Sequence, residues 1–297
     1  MNAGVYVHCD AAAVQATALR REIRHPSWVL ITTILASSLA FLEGSVINVG
    51  LPAIGMTFNA GAIDLQWAIN AYLLPLSALL LLGGAAGDRF GRVRLLIIGT
   101  GLFGAASIGC ALAPSLRWLL IGRTAQGVGA AMLMPNSLAI LGSAFSGESR
   151  GQAIGIWASM GAVIAAVGPV FGGWLIDTVG WRSIFLINLP PAIGAIVLAL
   201  VFIRDPHREA DAPRLDWLGG LFATSSLGAI TWGLTIGSGH EGWTPEPILF
   251  LLGGIILMLS FLVIENSKGR NAMMPLALFG SSSFIGLTLL TFLLYGR

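Results

Sequence analysis

The chain is 297 residues long, 56% hydrophobic and only 10% charged, with a formal net charge of +2 at pH 7. Soluble domains carry roughly 45–50% apolar residues, so this composition excludes a water-soluble globular protein and makes the bilayer its solvent. The small net charge names no partner by itself, and no nucleic acid is expected.

Residues 1–27 are polar and mixed, without a short apolar core before a cleavage site, and read as a cytoplasmic tail with no cleavable leader. A bilayer crossing needs about 20 apolar residues. On that measure eight runs span, at roughly 28–48, 66–86, 95–113, 118–141, 152–176, 184–203, 217–237 and 247–264. The first six form one unit, 28–203, closed by a charged, proline-containing linker at 204–216. Residues 217–264 form an extra helix pair. Residues 265–297 hold a loop and the start of a ninth span, which begins near Phe284 and stops at Arg297. The fold class expected is an all-α, multi-pass membrane protein.

Cys9 and Cys110 are far apart and give neither a disulfide framework nor metal spacing, and His8, His25, His207 and His240 match no ligand pattern. No metal, cofactor or enzymatic constellation is expected.

Lys and Arg set the orientation. Loops on the amino-terminal side hold Arg20, Arg21, Arg24, Arg89, Arg92, Arg94, Arg150, Arg204, Arg208, Arg214, Lys268 and Arg270, and the other side holds only Arg117 and Arg182. The amino terminus is therefore expected in the cytoplasm, and the membrane to be the plasma (inner) membrane of the cell.

Between the second and third spans, Gly84-Ala-Ala-Gly87-Asp88-Arg89-Phe90-Gly91-Arg92-Val93-Arg94 packs four charges into a predicted turn. Inside the hydrocarbon stand only Glu43 and Arg123. Each costs about 2.5–3.5 kcal/mol at mid-membrane, so neither is expected to be idle. Glu43 lies six residues before Val49 and Arg123 six residues after Arg117. At about 1.5 Å of rise per residue both sit roughly 9 Å below the outer surface, the matched depth of a pair. One reading makes them a proton site, Glu43 taking up and releasing the proton and Arg123 setting its affinity. The other makes them a static ion pair. Gln126, one turn from Arg123, offers a hydrogen bond or a substrate contact. In the fifth span, Gly161, Ala165, Gly168 and Gly172 form a smooth stripe, with Gly173 beside it and Pro169 bending the helix. Asn48, Asn70, Tyr72 and Trp157 are candidates for lining half a cavity, or for helix-to-helix bonding. Trp67, Trp118, Trp174, Trp181 and Trp243 fall near the predicted outer boundaries, where tryptophans anchor spans at the interface.

Several of these segments resemble those of a known family. Gly84–Arg94 has the form G-x-x-x-D-R-x-G-R-x-R of the loop between helices two and three of major facilitator transporters. Arg123-x-x-Gln126-Gly127-x-Gly129-Ala130-Ala131 is similar to the same superfamily's fourth-helix motif. Gly168-Pro169-x-x-Gly172-Gly173 resembles the exporter pattern G-x-x-x-G-P-x-x-G-G, with Ile164 at its first glycine. Leu42–Pro52, Gly180–Pro190 and Leu215–Gly219 resemble signatures of fourteen-helix drug:proton antiporters of the EmrB/QacA type, with Glu43 where Asp is usual.

The resemblance implies an amino-terminal six-helix bundle, an extra pair and a second six-helix bundle. It also implies export of lipophilic, often cationic, compounds in exchange for protons, driven by the proton gradient without a cofactor. Glu43 and Arg123 would couple the proton; Gln126, Asn48, Asn70 and Tyr72 would line the cavity. Gly84, Asp88, Arg89, Gly91, Arg92 and Arg94 would form a conformational latch, and Gly161, Gly168, Pro169, Gly172 and Gly173 the antiporter motif. The partners implied are a small-molecule substrate, protons, the lipid bilayer and a carboxy-terminal bundle that these residues do not include. A truncated, inactive fragment is therefore the expectation, with a homodimeric half-transporter, or a transporter of another small solute, as alternatives.

Overall fold

A computed structural model describes residues 26–203, 217–238, 242–268, 285–286 and 288–290. The expected tail up to residue 25, the linker 204–216 and most of 269–297 lie outside the described residues. Among the described residues there is no strand. The helices are α1 (Pro26–Phe58), α2 (Ala62–Phe90), α3 (Arg92–Ala111), α4 (Leu116–Ala144), α5 (Gly147–Val179), α6 (Ser183–Leu186), α7 (Leu189–Phe202), α8 (Trp217–Gly237) and α9 (Pro245–Lys268). Taking α6 and α7 as the single span Ser183–Phe202, seven of these elements are long and apolar enough to cross a membrane.

Three expectations change in detail. The helices outrun the apolar stretches: α1 has 33 residues and carries Pro52 inside it, so Val49 is not its outer end. Backbone hydrogen bonding continues beyond the hydrocarbon, where hydropathy no longer reports it. The turn Gly84–Arg94 is mostly helix. α2 runs through Phe90 and α3 starts at Arg92, leaving Gly91 alone between them at φ 107°, a left-handed conformation that favours glycine. The span 217–237 has the expected length, but its glycine, serine and threonine content leaves α8 outside the apolar set of seven.

That small-residue content has a packing use. A Cβ on Gly233 would lie 2.8 Å from the Pro247 carbonyl oxygen, and one on Gly254 would lie 2.7 Å from Ile230. Ser226 Oγ donates to the Gly254 carbonyl at 3.1 Å. Without a hydrophobic drive between helices in lipid, close contact and interhelical hydrogen bonds hold such a pair together.

The same logic builds the six-helix unit. α4 runs through its middle against α2 and α3, while α1 packs on α5 and α7. A Cβ on Gly129 would lie 2.8 Å from the Gly99 carbonyl oxygen, and one on Gly83 would collide with the Ala131 carbonyl. The predicted α5 stripe lies against side chains of α1, a partner the sequence did not name. Gly161 faces Phe41, with 2.6 Å left for a Cβ; Gly168 faces Ser45; Gly172 faces Val46. Gly173 stands at ordinary distance from Val49, 3.7 Å, and Pro169 sits inside the helix.

A substitution pair tests this packing. Gly99→Val puts its Cβ 2.7 Å from Met132, and overpacking of that kind costs about 1–3 kcal/mol. Gly101→Ala meets nothing within 4 Å and should leave stability unchanged or raise it by up to about 1 kcal/mol. Denaturant titration of the chain in micelles reads both; equal midpoints would contradict the close α3–α4 seam.

Candidate functional site

Five elements converge on one buried carboxylate. Glu43 of α1 is 2% exposed and Arg123 of α4 is fully buried, and Arg123 Nη1 bonds directly to Glu43 Oε1. The two charges read as a pair from the sequence are in contact, although α1 runs past Val49, the end from which its depth was counted. Arg123 Nε donates to the Ala68 carbonyl of α2 at 2.9 Å, and Nη1 also donates to Gln126 Oε1 at 3.1 Å. Its guanidinium carbon lies 4.7 Å from the centre of the Tyr72 ring, a cation–π contact. The charge is thereby held by a carboxylate, two carbonyl oxygens and an aromatic face. Desolvated charge requires this sort of compensation.

Two amides complete the shell around Glu43. Gln126 Nε2 donates to Glu43 Oε2 at 3.3 Å and to Ser107 Oγ of α3 at 2.9 Å. Asn188 Nδ2 donates to Glu43 Oε2 at 2.7 Å. Cys110 Sγ stands 3.5 Å from Gln126 Oε1 as a weak donor. Asn188 occupies the break between α6 and α7, where Leu189, Pro190 and Pro191 restart the helix. Proline suits a first helical turn because its missing N–H would have no partner there. The break turns the amide into the bundle instead of along its surface.

The cavity candidates fall into different places. Gln126 and Tyr72 are buried in this cluster, Tyr72 edge-on to Phe103, and face no open cavity. Asn70 Nδ2 donates to Thr235 Oγ1 at 3.0 Å and ties α2 to α8. Trp157 Nε1 donates to Ser37 Oγ at 3.1 Å and ties α5 to α1. Asn48 is on an exposed face of α1, its amide donating to its own helix at Gly44. Of the proposed interface tryptophans, Trp118, Trp174 and Trp243 are exposed. Trp181 is buried and donates to Thr57, and Trp67 packs on Trp232.

At the other end of α2, Asp88 Oδ1 accepts from Arg92 Nε at 2.8 Å across the Gly91 break. Both side chains are exposed, and Arg89 lies 5.9 Å from the centre of the Phe90 ring. Gly84 rests 3.5 Å from Pro135 of α4, and Gly87 has no room for a Cβ beside Asn136.

Residues 33–296 match the family profile described as Major Facilitator Superfamily. The chain belongs to that superfamily. It is 35% identical over 256 residues to Multidrug resistance protein Stp of Mycobacterium tuberculosis, covering 86% of this chain and 47% of that protein. It is 34% identical over 276 residues to the Methylenomycin A resistance protein of Streptomyces coelicolor, covering 92% and 57%. With the Tetracenomycin C resistance and export protein of Streptomyces glaucescens it shares 30% identity, covering 87% and 48%. This facilitator chain therefore spans about half the length of the curated relatives it matches.

Solved structures agree on the fold. A peptide transporter POT superposes at TM-score 0.62 and 16% identity, covering 84% of this chain and 55% of that one. The xylose transporter XylE from E. coli superposes at 0.51 and 17% identity, covering 81% and 68%. The facilitator chain is thus a multi-pass, all-helical membrane protein of a transporter family, and its buried cluster sits within a transporter bundle.

Sequence reasoning misses Asn188 and Ser107 as members of this cluster. A neutral amide or hydroxyl within a span is far cheaper than a charge and raises no alarm. The available signal is the Asn-Leu-Pro-Pro run, which breaks an apolar stretch and leaves an amide at the break.

For the Asp88–Arg92 pair the expected effect of removal is small. An exposed i,i+4 pair is worth about 0.3–0.5 kcal/mol, so Asp88→Asn should leave the unfolding midpoint of the chain nearly unchanged. A drop of several kcal/mol would show that Asp88 is held by more than Arg92.

Proposed function

We propose that these residues supply the first bundle of a drug:proton antiporter, in which Glu43 takes up and releases the coupled proton. The observation that carries this reading is the buried carboxylate itself. Glu43 is the acid of a fully enclosed cluster, held by Arg123, Gln126 and Asn188, in a chain whose relatives are named for drug resistance and export.

A carboxylate in that setting changes the cluster by a full charge when it takes a proton. Arg123 and the two amides then lose the anion that orients them, and the seam between α1 and α4 is free to repack. Export of a lipophilic cation fits this arrangement, because proton and cation alternately satisfy one acid. Asn48, on the exposed face of α1, would face the substrate path. Asp88 and its arginines would lie on the cytoplasmic side, as the Lys and Arg asymmetry supports, and act there as a latch against the second bundle.

The test uses a transporter whose first bundle is formed by residues 26–203, reconstituted in vesicles. A lipophilic cation is expected to leave only while an inward proton gradient is held, and collapse of the gradient by a protonophore should stop it. Export that continues after collapse would remove proton exchange from the reading.

A further inference from the structure

We infer that the extra pair α8–α9 is a fixed part of the first bundle, docked along α2, and that the rigid body which rocks during transport extends through Lys268. The sequence places the natural boundary at the linker 204–216; the packing moves it beyond α9. This inference rests on the transporter reading above for its functional arm only.

α8 and α2 touch at four levels that run most of the length of both helices. Gly220 has no room for a Cβ beside Leu82. Thr224 Oγ1 lies 3.4 Å from the Ala78 carbonyl oxygen. The Trp67 and Trp232 rings stand 4.6 Å apart, and Asn70 bonds to Thr235 at 3.0 Å. From Gly220 to Thr224 to Thr235 on α8 the partners on α2 fall from Leu82 to Ala78 to Asn70, so the two helices run antiparallel along one seam. α9 is joined to α8 by the Ser226–Gly254 hydrogen bond, the Gly233–Pro247 approach and the Trp232–Phe250 contact at 6.0 Å.

A seam of this kind has one good register. Small residues let the backbones meet, while Asn70 and Thr235 would each lose a partner inside the membrane if the helices slid. Packed helix pairs shift between discrete arrangements and do not stretch. Rocking of one bundle against the other is therefore expected to carry α8 and α9 with α2, leaving the change in shape to the chain beyond them.

Two measurements test this. In the chain itself, spin labels at the exposed positions Leu81 of α2 and Leu221 of α8 should give one distance, unchanged between acidic and alkaline buffer in nanodiscs. A second distance, or a shift of a helical turn or more, overturns the inference. In a transporter whose first bundle and extra pair are these residues, Asn70→Cys with Thr235→Cys is cross-linked by a short thiol-specific reagent, in a background where Cys9 and Cys110 are replaced by alanine. Export after cross-linking should stay within about twofold of the uncross-linked rate. Loss of export on cross-linking, restored by reductant, overturns the inference. Absence of export in the transporter without these substitutions counts against the transport reading instead; where only the cysteine variant fails to export, the label distance decides the inference alone.

Discussion

Glu43→Gln in a transporter carrying this bundle should abolish proton-linked export while leaving insertion intact. The amide is nearly isosteric with the carboxyl group. Its oxygen can still accept from Asn188 Nδ2, now at 2.7 Å from Glu43 Oε2, and Arg123 keeps the Ala68 and Gln126 oxygens at 2.9 and 3.1 Å. The variant loses the capacity to gain and lose a proton and also the anion beside Arg123, so a loss of stability of about 3–5 kcal/mol should accompany it. Export measured in vesicles with an imposed proton gradient should fall to the level of empty vesicles. Glu43→Asp, which keeps the acid one methylene shorter, should retain part of the rate. Full coupling in Glu43→Gln would make the cluster a static helix clamp.

The second large effect is on stability. Removing one partner of a buried ion pair costs about 3–5 kcal/mol, because the other charge is left without compensation. Arg123→Met should therefore destabilise the chain by about that amount. It also leaves the Ala68 carbonyl without its donor and the Tyr72 ring without its cation. Adding Glu43→Gln to Arg123→Met removes the stranded charge, so the double variant should recover much of the loss. The coupling read from the four unfolding midpoints in micelles should exceed 0.5 kcal/mol, the limit within which independent sites add. Additive losses within that limit would mean that the two charges do not depend on each other, despite their contact.

Both predictions start from residues legible in the sequence. Glu43 and Arg123 stand out because ionised groups within hydrocarbon are costly and scarce, and counting along two helices puts them at one depth. The α5 stripe is legible for a similar reason: Gly161, Gly168 and Gly172 repeat at helical spacing, and their absent side chains admit Phe41, Ser45 and Val46 of α1. The broken span at Leu186–Leu189 is less legible, since hydropathy averages across it and sees one apolar run.

What hydropathy cannot report is how each helix is turned about its axis. Tyr72 and Asn70 are two residues apart on α2, yet Tyr72 points into the cluster against Arg123 and Asn70 outward to Thr235. Asn188 reaches Glu43 only because the α6–α7 break rotates it inward. The course of α8 along α2 depends on a match between two surfaces far apart in sequence, such as Ala78 with Thr224, 146 residues on. By itself, the sequence determined the membrane solvent, the all-helical class and the two charges that had to find each other, because each follows from the transfer cost of single groups. Only the tertiary structure decided which neutral side chains enclose Glu43 and that α8 lies along α2. Those outcomes depend on helix rotation and on contacts between distant segments, and neither is encoded in the cost of any one residue.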